Sequence, residues 1–230
     1  QAFQTIASGG NRAPLSALRP AIAEDGTAMY QSFPQAERSV SAQAAYLTLY
    51  TMQQVVDHGT ARALGAKYPK ATLAGKTGTT NNQVDSWFAG IDGKEVAITW
   101  VGRDNNQPTK LYGSSGAMQL YRRYLENQAP MPLDLTPPED IARMNVDSAG
   151  NFVCGSGSSS WRSLPVWTTD ADALCQQQQQ QFDQQQHMLQ QSSNPQQNPQ
   201  GQPQTQPQQP QDQQKDSDGV AGWIKDMFGQ

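Results

Sequence analysis

The sequence predicts an α+β fold, an antiparallel sheet covered by helices, followed by a disordered Gln/Pro-rich tail. Three observations carry that prediction. Asp25-Gly26 and Asp92-Gly93 each lie between short apolar runs, the pattern of a hairpin with a two-residue turn. Two longer stretches repeat apolar residues at helical spacing, one before and one after the second hairpin. Hydrophobic residues make up 36% of the 230 positions, but most precede Cys175, and beyond it Gln and Pro dominate. Only the first part can bury a core large enough to offset its chain entropy.

Taken in order, Gln1 begins in what reads as the end of a helix closed by Gly9-Gly10, which suggests a fragment whose anchor and targeting signal lie upstream. The runs Arg19 to Ala23 and Thr27 to Tyr30 form the first hairpin, and Pro20 confines its first strand to an edge or a strand start. Ala42, Ala45, Tyr46, Leu49, Met52, Val55 and Val56 then recur at helical spacing, with Ser39 or Ser41 as N-cap and Gly59 as stop. Ala71 to Thr77 reads as a strand leading into Gly78, and Thr79 to Asp85 as a polar loop. Trp87 to Ile91 and Val96 to Val101 complete a three-stranded meander. After the polar loop Gly102 to Gly113, a helix from about Ser114 to Asn127 presents Ala117, Leu120, Tyr121, Tyr124 and Leu125, capped by Ser114 or Ser115 and stopped by Pro130 and Pro132.

The boundaries expected are 1–128 for this sheet-and-helix part, 129–175 for a small irregular appendage anchored by Trp161 and Trp167, 176–219 for a disordered linker and 220–230 for a short amphipathic terminal segment. In that last segment Val220, Trp223, Ile224, Met227 and Phe228 recur at helical spacing, which suits either an interfacial helix or a fraying end.

Composition excludes several functions. A formal net charge of -4 with no basic stripe gives no field for a phosphate backbone, so nucleic acid is not an expected partner. No run of about 18 apolar residues is long enough to cross a bilayer. No Cys or His cluster has metal-ligand spacing, and no cofactor motif is found. The two cysteines, Cys154 and Cys175, either close one loop in an oxidising compartment or are two separate buried thiols.

The stretch with the most chemistry is Leu73-Ala74-Gly75-Lys76-Thr77-Gly78-Thr79-Thr80. A phosphate loop would need a glycine at position 70, which is Lys70. The alternative is Lys-Thr-Gly on a strand edge: a substrate with a terminal carboxylate would meet the Lys76 charge and the Thr77 and Thr79 hydroxyls, while Gly78 lets backbone approach closely.

From Ala71 to about Tyr124 the sequence resembles the end of the transpeptidase domain of class A penicillin-binding proteins. That resemblance rests on this stretch, on Asp85-Ser86-Trp87-Phe88-Ala89-Gly90 and on Trp100-Val101-Gly102-Arg103-Asp104. Phe3 to Gly10, the segment Val55-Val56-Asp57-His58-Gly59-Thr60-Ala61, and the ending Asp216 to Phe228 resemble members of the same family. The resemblance implies a serine β-lactamase-like fold and acyl transfer that cross-links peptidoglycan stem peptides and is blocked by β-lactams. It assigns Lys76 and Thr79 to catalysis, Thr79 through its backbone N–H as one oxyanion donor, and Thr77, Gly78 and Thr79 to substrate binding. In that family Ser-x-x-Lys supplies the nucleophile and Ser-x-Asn helps to move protons. No Ser-x-x-Lys occurs among the 230 residues, and the one Ser-x-Asn, Ser192-Ser193-Asn194, lies in the Gln-rich tract. The nucleophile, a glycosyltransferase domain and a membrane anchor are therefore expected upstream.

The implied location is the periplasmic face of the bacterial inner membrane, which favours a bonded Cys154 and Cys175, with cell-wall synthesis proteins as further partners. A carboxypeptidase or β-lactamase-like hydrolase would share Lys-Thr-Gly, and a non-catalytic binding or scaffold module would use the strand only as an edge. Among other residues, His58 is read as a helix C-cap, Asp85 as a structural group at the loop or strand end, Glu139 and Asp140 as a solvated helix start, and Trp87, Phe88 and Trp100 as core.

Overall fold

The computed structural model describes residues 1–17, 20–31, 35–154 and 162–192. The chain separates into two compact units, divided between Glu139 and Asp140.

The first unit opens with helix α1 (Ala2–Ala7), strand β1 (Asn11–Arg12) and a hairpin of β2 (Ala21–Ile22) and β3 (Ala28–Tyr30), followed by β4 (Glu37–Arg38), which pairs with β1. The hairpin turns at Asp25-Gly26, where Asp25 Oδ1 accepts from Thr27 N at 2.9 Å. Helix α2 (Ala42–Asp57) starts where the sequence predicts: the Ser41 side chain accepts from Ala44 N, and His58 is the C-cap. Its face of Ala45, Tyr46, Leu49, Met52, Val55 and Val56 is buried. Helix α3 (Arg62–Lys67) follows.

Strands β5 (Ala74–Thr79), β6 (Ser86–Ile91) and β7 (Val96–Val101) form the central antiparallel sheet in the order β5-β6-β7. In register, Ala74, Ile91 and Val96 share one face, with Lys76, Ala89 and Ile98 next along it and Gly78, Trp87 and Trp100 beyond. The opposite face carries Phe88 and Thr99 and receives helix α4 (Ala117–Asn127), whose Tyr121 ring lies 5.3 Å from the Phe88 ring. Two clusters make the core: Val55, Val56, Leu64, Leu73, Phe88, Met118, Tyr121 and Leu125 in one, Leu49, Met52, Ala74 and Ile91 in the other. The α+β expectation of a sheet covered by helices is what the structure has.

Four expectations need correction in this unit. Phe88 is core, but Trp87 and Trp100 are 42% and 45% exposed and meet across the strands as a tilted pair with centroids 6.0 Å apart. Alternation fixes which residues share a face; it does not say how far along the sheet a covering helix reaches. Helix α4 takes no cap from Ser114 or Ser115. Ser115 Oγ instead accepts from Tyr112 N, and buried Ser86, on β6, accepts from Ala117 N at 2.8 Å while donating to Tyr112 O at 2.8 Å. The unit also runs past residue 128 to Glu139. Met131 N donates to Asp92 Oδ2, Leu133 N donates to Thr72 O, and Leu133 and Leu135 pack on the second cluster. Finally, Glu139 and Asp140 start no helix; Asp140 has φ 62 and strand β8 begins at the next residue.

The second unit is a hairpin of β8 (Ile141–Val146) and β9 (Arg162–Trp167) followed by helix α5 (Ala171–Ser192). The irregular appendage expected over 129–175 is thus a ladder in six of its positions on each side, with Met144 and Val146 buried. Pro165 lies within β9, which pairs only with β8 among the described residues, and a proline whose nitrogen faces the unpaired edge removes no ladder bond. Trp167 is 52% exposed at the end of β9, and Trp161 lies outside the described residues.

Helix α5 corrects the start of the expected linker, because Gln176 to Ser192 is helical. Scarcity of apolar residues argues against a packed core, not against a helix, and glutamine is among the better helix formers. Asp170 Oδ1 accepts from Ala173 N at the first turn, Cys175 is disulfide-bonded to Cys154, and Gln178 Oε1 accepts from Phe152 N. The rest of the expected linker and the whole 220–230 segment lie outside the described residues.

Candidate functional site

Strand β5 carries Ala74-Gly75-Lys76-Thr77-Gly78-Thr79 and pairs on one side only, with β6. Its other edge is open among the described residues. Successive amides of an extended strand point to opposite edges. Thr80 N donates to Asp85 O at 3.1 Å, on the β6 side, so the N–H groups of Thr79 and Thr77 point to the open edge. Lys76 Nζ folds onto that edge and donates to Thr77 O at 2.8 Å. A cation with two further N–H donors thus stands beside a row of outward amides, an arrangement that binds a carboxylate and polarises a carbonyl.

The two threonine side chains are held from behind. Thr77 Oγ1 shares a 2.8 Å hydrogen bond with Thr60 Oγ1, from the turn after α2. Thr79 Oγ1 accepts from Gly113 N at 3.0 Å, and its own proton remains available to donate. Gly113 lies so close that a Cβ there would come within 2.8 Å of Gly78 N and O and of Trp87 O. Only glycine lets this loop back the strand.

Beyond Thr79 the chain turns through Thr80 to Asp85 under two sets of bonds. Thr80 Oγ1 donates to Asp85 Oδ2 at 3.1 Å and accepts from Asp85 N at 2.8 Å, and Asp85 Oδ1 accepts from Trp100 Nε1 at 2.9 Å. Gln83 O accepts from both Thr109 N and Thr109 Oγ1 at 2.8 Å. Asn82 and Gln83 have φ 57 and 56, consecutive left-handed residues that persist only where surroundings over-determine them.

Of the residues singled out in the sequence, Lys76, Thr77, Gly78 and Thr79 are consecutive on this strand. Cys154 and Cys175 lie in the second unit, where their sulfurs are bonded. Asp85 ties the loop to the sheet. Sequence reasoning gave no role to Thr60, Gly113 or Ser86. All three act across 17 or more positions, beyond the reach of any local pattern, although Gly59-Thr60 and Ser86 lie within segments that carried the family resemblance. Among the described residues no group of three or more His, Cys, Asp or Glu is placed to hold a metal ion, and no helix is long and apolar enough to cross a membrane.

Comparison with known proteins yields two family matches. Residues 1–126 match the penicillin binding protein transpeptidase domain, and residues 140–179 match the penicillin-binding protein 1B C-terminal domain. The chain is similar to penicillin-binding protein 1B of Escherichia coli (strain K12), 72% identical over 229 residues, covering 100% of this chain and 26% of that protein. Penicillin-binding protein 1B of Vibrio cholerae is 45% identical over 167 residues, 73% of this chain and 22% of that protein. The chain thus spans about a quarter of the length of these relatives. In structure it is similar to penicillin-binding protein 1A from Haemophilus influenzae, with a TM-score of 0.63 at 20% identity over 72% of this chain and 31% of that one, a likeness of fold alone.

Proposed function

The chain belongs to the penicillin-binding protein transpeptidase family, and from that premise we propose that β5 is the substrate-docking wall of a DD-transpeptidase within a bifunctional peptidoglycan synthase. The nucleophilic serine and the glycosyltransferase domain are supplied by sequence outside these 230 residues. The observation that carries this reading is the open edge of β5, with the Lys76 ammonium and the outward Thr79 amide on one line.

In the proposed reaction the serine Oγ attacks the carbonyl carbon of a D-alanyl-D-alanine stem peptide. The tetrahedral oxyanion is stabilised by the Thr79 N–H; the C–N bond then breaks and D-alanine leaves with a proton. An amine of a neighbouring stem attacks the ester, and the serine regains its hydroxyl. Lys76 contributes positive charge beside the serine and the substrate's terminal carboxylate. Thr77 and Thr79 donate hydroxyl hydrogen bonds to that carboxylate, and Gly78 keeps the edge clear. A β-lactam follows the same first step and stays as the acyl-enzyme. This chemistry belongs at the periplasmic face of the inner membrane, with anchoring through sequence beyond this chain and cell-wall synthesis proteins as neighbours.

The test is Lys76→Ala in the full-length protein, read by fluorescent penicillin labelling. Acylation should slow by about 10² or more, the scale of losing one preorganised electrostatic group, with the circular dichroism spectrum retained. Unchanged labelling would make Lys76 an ordinary surface lysine.

A further inference from the structure

We propose that Asp85 is a positioning residue for acyl transfer: its carboxylate clamps the C-terminal end of β5 to the Trp100 indole on β7, and so sets the orientation of the Thr79 amide. The inference rests on the functional reading above. Asp85 stands at the first residue before β6, between the two strands that it joins. One oxygen takes the Thr80 hydroxyl and the other the Trp100 N–H, at 3.1 and 2.9 Å. The Thr80 hydroxyl is also an acceptor, from Asp85 N at 2.8 Å, so the ring of bonds around Thr80 is closed in both directions. Thr80 is the residue whose own N–H returns to Asp85 O, and its peptide plane is continuous with the end of the Thr79 backbone. The Thr79–Thr80 peptide meets the Gly78–Thr79 peptide at the Thr79 Cα, so a displacement of Thr80 reaches the Thr79 N–H through the Thr79 φ and ψ.

Two independent features indicate that this end of the strand is held rather than merely capped. The loop accommodates Asn82 and Gln83 in left-handed conformations, and Thr109 secures Gln83 O with two bonds from the other side. At Gly102, an added Cβ would fall 2.0 Å from Trp100 Cζ2 and 2.8 Å from Asp85 Oδ1. The indole can lie against Asp85 only because position 102 has no side chain. A carboxylate suits the role because it alone accepts from two donors on opposite sides while donating to neither. Asparagine keeps one acceptor and presents an NH₂ where the Thr80 hydroxyl must donate.

The experiment uses the full-length protein with Asp85→Ala, Thr80→Val, Thr80→Ser, Trp100→Phe and Gly102→Ala, each followed by the saturating acylation rate and the half-saturating concentration of fluorescent penicillin. Misalignment of a catalytic amide lowers the saturating rate by about ten- to a hundredfold, while half-saturation, set by the carboxylate contacts, stays where it is. Asp85→Ala, Thr80→Val, Trp100→Phe and Gly102→Ala should all show that split, Thr80→Ser should restore the rate, and Asp85→Ala with Thr80→Val should be no worse than either alone. A merely structural contact would instead lower the thermal midpoint with both kinetic quantities unmoved. Wild-type rates for Asp85→Ala, or additive losses in the double variant, would overturn the clamp and leave the transpeptidase reading standing. Absence of labelling in the unsubstituted protein would overturn that reading and the clamp with it.

Discussion

At the scale of single residues, Ser86 and Gly113 show how the candidate site depends on residues outside β5. Ser86 is fully buried, and its hydroxyl satisfies two backbone groups at once, the first amide of α4 and the Tyr112 carbonyl. Ser86→Ala leaves the Ala117 amide without this partner in a dry site, while Tyr112 O keeps the Ser115 and Gly116 amides, and should cost about 1–3 kcal/mol of stability, measured by urea denaturation. Gly113→Ala acts differently. The new methyl would meet backbone atoms of Gly78 and Trp87, which cannot rotate away, so β5 itself must shift. Penicillin acylation by the full-length Gly113→Ala protein should fall by about tenfold or more even where folding survives, since catalytic geometry tolerates displacement poorly. These residues explain what was legible in the sequence and what was not. Lys76 to Thr79 stood out because a cation, glycines and hydroxyls coincide in one short run. Thr60, Ser86 and Gly113 did not, because each meets its partner through the tertiary fold.

Elements were legible where the pattern is local. Helix α2 follows from its apolar spacing and the Ser41 cap, and β6 and β7 from Asp92-Gly93 between apolar runs, where Asp92 Oδ1 accepts from both Lys94 N and Glu95 N. The hairpin of β8 and β9 was missed because its strands are 15 positions apart, Pro165 interrupts one of them and no tight turn signal joins them. Its proximal loop is instead organised by Asp147, whose carboxylate accepts from Asn151 Nδ2, Asn151 N and Ala149 N. The Asn151 side-chain bond is the largest of the effects holding the Asp147 pKa below the ordinary 3.8. A carboxylate with a lowered folded pKa contributes stability that is fully present above the ordinary value and is lost as pH falls through the folded one. The Ala149 and Asn151 amides should therefore lose protection from hydrogen exchange only below about pH 3.8, and Asp147→Asn should abolish that step. In the same unit the Cys154 to Cys175 bond closes a loop across 21 positions and fixes the first turns of α5. Replacing both cysteines by serine should cost about 3 kcal/mol in the chain-entropy picture, read as earlier thermal loss of α5 helicity.

At the scale of the whole chain, the proposed site has two of its functions here and lacks the third. In the proposed reading Lys76 supplies charge and Thr79 an amide donor, but attack on a carbonyl needs a hydroxyl or thiol activated by a base. The partners of the Thr77 and Thr79 hydroxyl oxygens are the Thr60 hydroxyl and the Gly113 amide, and neither is a base that could activate them for attack. Both cysteines are consumed in the disulfide. The 230 residues contain no Ser-x-x-Lys, in a chain that covers 26% of its E. coli relative. The chain incubated alone with fluorescent penicillin should accordingly give no label that survives denaturation, while the full-length protein under the same conditions should be labelled at a serine outside these residues. Peptide mapping distinguishes the outcomes. A stable adduct on any serine or threonine between Gln1 and Gln230 would show that these residues supply a nucleophile as well as a polarising wall, and the division of labour proposed here would be wrong.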